Sequence, residues 1–360
     1  MSSLNNERIP SSSARLVNVK GALRDTKPRV LPMGVGVDVS IVLVNWNSED
    51  YLRECIASIY ENTKEVCFEI VVVDNASPAG TIDAVQRSFP EIMLVKSDKN
   101  LGFARANNLG FRRSSGAHIL LLNPDTKLVG PAITTLLSHF KSLAAAGIVG
   151  ARLVDPDLTI QTTSIQRFPT ILNQVADIEY FRRRWPYCSL WALGPLFSRD
   201  VQPVRVEVIP GACMLLKREV FDQVGMFTED YFMYAEDIDL NYKVCREGFV
   251  NYHVPSATVI HYGGRSSALQ QTSQWATIMK YRAMRQYYLR NRGRGYAESY
   301  KTAMGCAAAL RLVLIAIVQA GVFWRRDTFK GAAAKWLAVL KWSVGLENRM
   351  LERAAVADGE

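Results

Sequence analysis

The stretch HILLLNPDT, residues 118–126, is a continuous apolar run that ends abruptly in the four residues NPDT. Two earlier stretches repeat this design, VDVSIVLVNWN at 37–47 and FEIVVVDNAS at 68–77. Strands that are apolar along their whole length are buried on both faces, which is typical of parallel sheets covered by helices. These three stretches therefore predict the central strands of an α/β domain.

Segments with helical character lie between these strands, at 51–63, 81–89 and 105–115. Alternation of strand and helix predicts an α/β fold with a mostly parallel sheet and helices on both faces. Ligands bind such sheets beyond the carboxyl ends of the strands, where all three polar tails fall. Asp125 has two interpretations: an ordinary turn residue, since Asp and Pro are common in turns, or a carboxylate presented to a ligand.

The positive charge of the chain is concentrated near its C-terminus. The net charge is +9, and residues 280–341 contain thirteen Lys and Arg against two acids. A basic surface of this kind indicates an anionic partner, such as a membrane or nucleic acid, or is simply a solvated helix face. No nucleic-acid-binding module is recognisable, so we expect no nucleic-acid partner and favour a membrane.

The C-terminal segment combines this charge with apolar helices. Residues 307–324 are strongly apolar but contain Arg311 and Gln319, and the charge-free part is short for a membrane span. Farther on, Lys residues stand beside Trp336 and Trp342. This pattern favours a segment lying in the membrane interface, with a helical subdomain packed on the core as the alternative.

Other features narrow the class of protein. The first 36 residues are polar and Ser-rich without the apolar core of a signal peptide, which predicts a flexible extension. The six cysteines form no CxxC pair, and we expect reduced thiols in a cytosolic protein. Neither a GxGxxG after the first strand nor a P-loop occurs, which disfavours a dinucleotide-dependent dehydrogenase and a P-loop NTPase.

Two further segments contain residues that could carry chemistry. Glu236 and Asp237 follow the aromatic run 231–234 and begin an amphipathic helix. They either stabilise the helix N-terminus or provide a general base beside a ligand. His261 ends an apolar run just before two glycines. With a carboxylate, an imidazole can bind Mn²⁺ or Mg²⁺ together with phosphate oxygens.

Taken together, the chain resembles the family 2 glycosyltransferases, which have the GT-A (nucleotide-diphospho-sugar transferase) fold, and within them the bacterial rhamnosyltransferase-like branch. The resemblance covers roughly residues 38–267. The matching segments, in family order, are SIVLVNWN (40–47), VVVDNAS (71–77), NLGFARANNLG (100–110), LLLNPDT (120–126), DPDLTIQTTSIQRFPT (155–170), PGACMLLKREVFDQVGMF (210–227), FMYAEDIDLNYKVCREG (232–248) and HYGGRSS (261–267). It implies a flexible extension at 1–36, a GT-A catalytic domain at 37–267 and a helical, membrane-associating region at 268–360.

The resemblance also implies roles for individual residues. Asp125 would be the metal-binding aspartate of the family's DxD-like element, and His261 would complete the metal or diphosphate site. Asp237, with Glu236 beside it, would be the general base that deprotonates the acceptor hydroxyl. The nucleotide-sugar donor would be bound by Asn45, Asn47, Asp74, Asn100, Gly102, Phe103, Asn108 and Asn123. Asn123 replaces the first acid of the DxD-like element, which removes one charge from the metal site.

The activity implied is that of an inverting glycosyltransferase that depends on Mg²⁺ or Mn²⁺. The stretch at 155–170 resembles rhamnosyltransferases that use dTDP-L-rhamnose, although it is also compatible with a loop common to many donors, so UDP- and GDP-sugars remain open. The implied acceptor is a polyprenyl-diphosphate-linked saccharide at the cytoplasmic face of a bacterial membrane, on the way to a cell-surface polysaccharide.

Two rival functions remain. A nucleotidyltransferase would need a Gly-rich, basic phosphate loop after the first strand, where this chain has VNWNSED at 44–50, and is disfavoured. A non-catalytic membrane scaffold could keep the same fold and bind nucleotide without turnover. The sequence does not indicate the oligomeric state.

Overall fold

A computed structural model of the chain describes residues 36–78, 80–263, 274–321 and 329–346. The described residues from Gly36 onward belong to one compact unit. The N-terminal extension predicted for 1–36 lies outside the described residues except for Gly36. The boundary predicted after residue 267 falls in the gap between 263 and 274, so this division also stays a prediction.

The centre of the sheet consists of the three strands that the sequence predicts. They are β1 (Val39–Asn45), β2 (Phe68–Asp74) and β4 (His118–Leu122), and β1 pairs in parallel with both of the others. A short strand, β3 (Met93–Lys96), extends this parallel half beyond β2. Because these strands run in one direction, their polar ends meet at one edge of the sheet, as expected for a ligand site.

The other half of the sheet is mixed. Its strands are β5 (Thr126–Val129), β6 (Ala146–Val154), β7 (Val204–Val206), β8 (Cys213–Lys217) and β9 (Val250–His261). The order is β3-β2-β1-β4-β8-β6-β9-β5, with β7 beside β9. The described pairings are evenly parallel and antiparallel, so the α/β class is confirmed while the sheet is more mixed than expected.

Two antiparallel pairings bring further residues to the ligand edge. β8 runs against β4, so the loop before β8 lies where β4 ends, and the Asn123 amide donates to the Ala212 carbonyl at 3.1 Å. β9 runs against β5, and this register pairs His261 with Thr126. Non-local pairings of this kind therefore place residues from distant parts of the chain beside the NPDT turn.

Helices cover both faces, because alternate strand residues point to opposite sides. Ile41 and Leu43 pack in the cluster that includes helices α1 (Glu49–Asn62), α2 (Thr81–Ser88) and α4 (Ala132–Ser142). Val42 packs on the other face with helices α3 (Gly102–Arg113), α7 (Arg218–Gln223) and α8 (Glu236–Arg246). Two short helices, α5 (Ile171–Val175) and α6 (Glu179–Arg184), lie between β6 and β7 in sequence.

The C-terminal segment forms helices α9 (Gln274–Arg292), α10 (Arg294–Gly321) and α11 (Lys330–Ser343). Their buried residues share a cluster with Tyr231, Ala235 and Ile238, around the start of α8. Helices α10 and α11 approach closely at Gly305, where a Cβ would lie 2.4 Å from Ser343 Oγ. The C-terminal helices thus support the first turn of α8, which carries Glu236 and Asp237.

The two tryptophans of the C-terminal segment differ in their environment. Trp342 is 2% exposed, with its ring centroid 5.8 Å from that of Tyr281, so its interpretation as an interfacial residue is wrong. It packs inward because α11 turns this face toward α9 and α10. Trp336 is only partly buried. Among the described residues, α10 is long and apolar enough by composition to cross a membrane, a property that buried core helices share.

Candidate active site

A cavity of about 510 Å³ lies at the carboxyl edge of the central strands. Segments from distant parts of the chain line it: the ends of β1 and β2, the start of α3, the NPDT turn, the end of β6 with the chain after it, the loop before β8, the start of α8 and the end of β9. The predicted site residues that line it are Asn100, Gly102, Phe103, Asn123, Glu236, Asp237 and His261. Asn45, Asn47, Asp74, Asn108 and Asp125 are not among its lining residues.

Asn45 and Asp74 lie side by side beneath one end of the cavity. The register of β1 and β2 pairs these two residues, and Asn45 Nδ2 donates to Asp74 Oδ1 at 3.2 Å. Asn45 Nδ2 also donates to Ser77 Oγ at 3.0 Å, and the backbone amide of Asn47 donates to the same hydroxyl at 3.1 Å. Asn45 and Asp74 are buried, so the network fixes the ends of both strands.

The start of α3 is fixed by short hydrogen bonds and by glycine. Asn75 Oδ1 accepts from the Leu101 amide at 2.7 Å, and Asn100 Oδ1 accepts from the Gly102 amide at 2.9 Å. Gly102 has φ +76°, and a Cβ there would lie 2.3 Å from the Phe232 carbonyl oxygen. That same carbonyl accepts from the Phe103 amide at 2.8 Å. The α3 start and the loop before α8 are thus in direct contact.

Asn108 holds a loop behind the cavity. Its Nδ2 donates to the Phe227 carbonyl at 2.9 Å, and its Oδ1 accepts from the Phe227 amide at 3.0 Å. The side chain is buried on α3, away from the cavity lining. A direct contact between Asn108 and a donor stays a prediction, whereas its contact with the 227 loop is a feature of the fold.

Asp125 and His261 face each other where β5 begins and β9 ends. Asp125 Oδ1 lies 3.5 Å from His261 Nε2, and the Asp125 carbonyl accepts from the Tyr262 amide at 2.9 Å. The Asp125 side chain is fully buried, and His261 retains some exposure to the cavity. A carboxylate oxygen just before β5 and an imidazole nitrogen at the end of β9 thus face each other, held by the pairing of these two strands.

Gln161 fixes the ring of His261. Gln161 Nε2 donates to Asp155 Oδ1 at 2.8 Å and to the His261 carbonyl at 2.7 Å, so its Oε1 faces His261 Nδ1 at 3.0 Å. An amide oxygen only accepts, so Nδ1 donates to it and Nε2 is the ring nitrogen that faces Asp125.

This donor set fits a divalent cation that accepts mixed oxygen and nitrogen ligands, such as Mn²⁺. The described residues contain no group of three or more His, Cys, Asp and Glu that could hold a metal. The Asp125–His261 pair would therefore hold such a cation jointly with oxygens from a ligand. Two protein ligands with phosphate oxygens and water are also a usual arrangement for Mg²⁺.

Glu236 and Asp237 occupy the first turn of α8, on the cavity. Asp237 accepts hydrogen bonds from the amides of Gly211 at 3.1 Å and Ile238 at 2.8 Å. Burial raises the pKa of Asp237, and these two backbone donors partly offset that effect. Burial first, and then the Asp237 charge, raise the pKa of Glu236. Asp237 is thus the carboxyl that the backbone favours in its ionised form.

The backbone before α8 is unusual. Tyr234 and Ala235 have φ values of 71° and 64°, a left-handed conformation that is uncommon outside glycine. Strain of this kind persists where surrounding contacts impose it, and it clusters at functional sites. Farther along α8, Asn241 ties the helix to the loop before β8, since its Nδ2 donates to both the Asp237 carbonyl at 2.7 Å and the Ile209 carbonyl at 2.8 Å.

Sequence reasoning did not single out two residues that shape the cavity: Gln161 and Gly211. Each lies in a segment that carries the family resemblance, but no local pattern distinguishes it from its neighbours. Gln161 needs the β6–β9 pairing to reach His261, and Gly211 needs the position of α8 to reach Asp237. Their contacts are tertiary, so the sequence offers no direct signal for them.

The fold and site together define a class of protein. A mixed α/β sheet carries, at one cavity, an aspartate–histidine pair suited to a metal-bound diphosphate and a buried carboxylate suited to act as a base. These are the features of a GT-A nucleotide-sugar transferase. The family model described as glycosyl transferase family 2 matches residues 40–225, more than half of the chain. The chain belongs to this family.

Curated relatives indicate which branch of the family this chain resembles. The chain is 28% identical over 253 residues to a Mycobacterium tuberculosis N-acetylglucosaminyl-diphospho-decaprenol L-rhamnosyltransferase, covering 67% of this chain and 81% of that protein. It is 24% identical over 233 residues to the rhamnosyltransferase WbbL of Escherichia coli K12, covering 62% and 83%. The chain is therefore most simply placed in the rhamnosyltransferase-like branch.

A solved structure supports the fold. The mannosyltransferase PcManGT from Pyrobaculum calidifontis, in complex with GDP-Man and Mn²⁺, has a TM-score of 0.51 and 17% identity to this chain. The match covers 89% of this chain and 91% of that protein. At this identity, the similarity concerns the fold alone.

Proposed function

We propose that this chain is a metal-dependent, inverting rhamnosyltransferase. It moves L-rhamnose from dTDP-L-rhamnose onto a polyprenyl-diphosphate-linked saccharide at the cytoplasmic face of a bacterial membrane, in cell-surface polysaccharide synthesis. Similarity to two curated rhamnosyltransferases, one named for a decaprenol-diphosphate acceptor, supports the sugar and the acceptor class. Membership of glycosyl transferase family 2 supports the reaction class.

The single observation that carries the proposal is that the candidate metal-binding pair and the candidate general base lie at the same cavity. His261 and Asn123 lie in one part of its wall, with Asp125 buried behind His261 at 3.5 Å, and Asp237 lies in another part. A divalent cation held by Asp125 and His261 would neutralise the charge that develops on the leaving diphosphate. Such a cavity can therefore hold a nucleotide-sugar beside a base.

The residues of this chain then perform a single displacement. The Asp237 carboxylate accepts the proton of the acceptor hydroxyl as its oxygen forms a bond to C1 of the sugar. The bond from C1 to the diphosphate oxygen breaks, and its electron pair leaves with the nucleoside diphosphate. One displacement inverts the configuration at C1, and no protein nucleophile takes part.

The buried residues around the cavity position the reactants. Asn45 and Asp74 fix the strand ends where the nucleotide base would bind. Gly102 and Phe103 fix the α3 start against the loop before α8, so donor binding would be sensitive to this contact. Asn100 and Asn123 offer polar groups on the cavity wall.

Ligand-dependent thermal unfolding of the purified chain tests this proposal. A panel of dTDP-, UDP- and GDP-sugars is scored with Mg²⁺ or Mn²⁺ and again with EDTA, because a ligand that binds the folded state raises the melting temperature. We expect stabilisation by dTDP-L-rhamnose that EDTA removes. Stabilisation by a UDP- or GDP-sugar instead would overturn the donor assignment. No response to any nucleotide from folded protein would favour the scaffold alternative.

A further inference from the structure

Helix α10 exposes a continuous apolar stripe. Five of its residues are 43 to 63% exposed: Leu310, Val313, Leu314, Ile317 and Val318. Their spacing places them on one face of the helix. The other face, with Tyr300, Met304 and Ala308, is buried against α9 and α11. The stripe is thus a large apolar surface that the described part of the chain leaves exposed.

Three cations lie near one another at the base of this stripe: Lys280 on α9, Arg311 on α10 and Lys335 on α11. The Arg311 guanidinium lies 4.1 Å from the centre of the Trp336 ring, and its Nη2 donates to the Val175 carbonyl at 2.5 Å. Lys335 Nζ lies 5.2 Å from the same ring. Lys335 therefore stands with Arg311 around one partly buried tryptophan.

The charges in this cluster are not balanced. Burial lowers the pKa of Lys335, and the positive charge of Lys280 lowers it further. Asp177 opposes this effect, and Arg311 adds to it. Asp177 is itself paired with another cation, since its Oδ1 lies 3.3 Å from Arg182 Nη1. An incoming anion would relieve this excess of positive charge.

Helix α6 adds exposed aromatic side chains next to the cluster. The Arg182–Asp177 pair joins α6 to it, and exposed rings lie on α6, at Tyr180, and just after it, at Trp185 and Tyr187. Rings with one polar edge favour the interface between hydrocarbon and water, and arginines favour anionic headgroups. Apolar stripe, cations and aromatics together match the composition of a surface that lies on an anionic bilayer.

We propose that the α10 stripe, with Lys280, Arg311 and Lys335 at its base, docks this protein on the surface of an anionic lipid bilayer. The stripe enters the interface between headgroups and acyl chains, and the cations contact lipid phosphates. The helix lies along the interface and does not cross the bilayer. This surface deepens the proposed function, since it rests on an acceptor that is carried in the membrane.

Flotation of the purified full chain with lipid vesicles tests the proposal. We expect binding to vesicles that contain phosphatidylglycerol, weak binding to pure phosphatidylcholine, and loss of binding as salt rises. Ile317→Glu, which puts a charge into the stripe, weakens binding by about tenfold or more. Lys335→Gln weakens it by about fivefold, as expected for one charge near an anionic surface.

Matched variants elsewhere provide the controls. Met93→Glu changes an apolar residue on edge strand β3 that is 43% exposed, against 63% for Ile317, and Lys141→Gln removes a charge from α4. Both should bind vesicles like the unchanged protein. Equal binding of Ile317→Glu and Met93→Glu, or equal binding to both kinds of vesicle, would overturn the proposal.

Two further outcomes would show that the α10 stripe does not bind a bilayer surface. A dimer in light scattering that Ile317→Glu converts to a monomer would assign the stripe to self-association. Retention in native membranes after alkaline carbonate washing would indicate a spanning helix. The donor panel keeps this test separate from the proposed function: loss of vesicle binding with donor stabilisation intact overturns the docking surface alone.

Discussion

His261 Nε2 lies 3.5 Å from Asp125 Oδ1, although the first residue ends β9 and the second follows β4. The pairing of β5 with β9 creates this contact, because it sets His261 opposite Thr126. A short polar turn and a lone histidine thereby become one candidate site. We expect the residues around this pair to control metal binding and those around Asp237 to control proton transfer.

Gln161 is predicted to set metal affinity through His261. Gln161→Leu removes the acceptor of the Nδ1 proton and leaves the ring free to turn. Loss of such a partner weakens metal binding by about 10- to 100-fold. Titration with Mn²⁺ in the presence of dTDP, followed by electron paramagnetic resonance, measures this. Gln223→Leu, on the surface of α7, is the control. Unchanged Mn²⁺ affinity in Gln161→Leu would remove Gln161 from the metal site.

Glu236 is predicted to make stability fall as pH rises. Its pKa is raised in the folded state, so the native protein holds the proton over a pH range where the unfolded chain has lost it. Folding stability then decreases with rising pH between the ordinary glutamate pKa and the raised one. Glu236→Gln should flatten this decrease in melting temperature. An equal slope in both proteins would show that Glu236 ionises freely in the fold.

Because Glu236 holds its proton in the folded protein, we expect Glu236 and Asp237 to have different roles in catalysis. A neutral Glu236 resembles glutamine, so Glu236→Gln should keep transfer within about tenfold of the unchanged rate. Because burial raises the pKa of Asp237, kcat/KM should fall on the acid side at a higher pH than an ordinary aspartate allows. The pH–rate profile of both proteins checks this. Loss of activity in Glu236→Gln as large as in Asp237→Asn would assign the base to the pair.

Gly102 is predicted to be essential for donor binding because of its close contact. Gly102→Ala adds about 1–2 kcal/mol of left-handed strain and a clash with the Phe232 carbonyl. Gly80→Ala is a matched control, since Gly80 also has positive φ but open space around its Cβ position. Only Gly102→Ala should raise KM for the donor markedly. Equal KM values in the two variants would rule out the contact as a cause.

Asn108 is predicted to act through the fold. Asn108→Ala leaves the buried Phe227 backbone without two hydrogen bonds, which costs about 2–4 kcal/mol of unfolding free energy. Denaturant unfolding measures this, with Asn62→Ala, which loses one bond within α1, as the control. Donor affinity of the folded Asn108→Ala protein should stay close to normal. A large loss of affinity at full stability would instead favour direct donor contact.

The sequence predicts the parallel half of the fold well. Each of β1, β2 and β4 is a local apolar run with a polar tail, so its position and its ligand edge follow from nearby residues alone. The antiparallel placement of β8 and β9 depends on pairing between distant segments, and no local pattern encodes it. Gln161 and Gly211 were missed for the same reason. Trp342 was misinterpreted because composition does not indicate which helix face is buried.

Transfer by Asp237→Asn tests the central claim most directly. The purified chain is supplied with dTDP-L-rhamnose, Mn²⁺ and a short polyprenyl-diphosphate N-acetylglucosamine, and the product is measured by mass spectrometry. The unchanged protein and the exposed control Asp222→Asn should add one rhamnose. Asp237→Asn should lose about 10²- to 10⁴-fold in rate while dTDP-L-rhamnose still raises its melting temperature. Transfer by Asp237→Asn at the unchanged rate would contradict its role as the base.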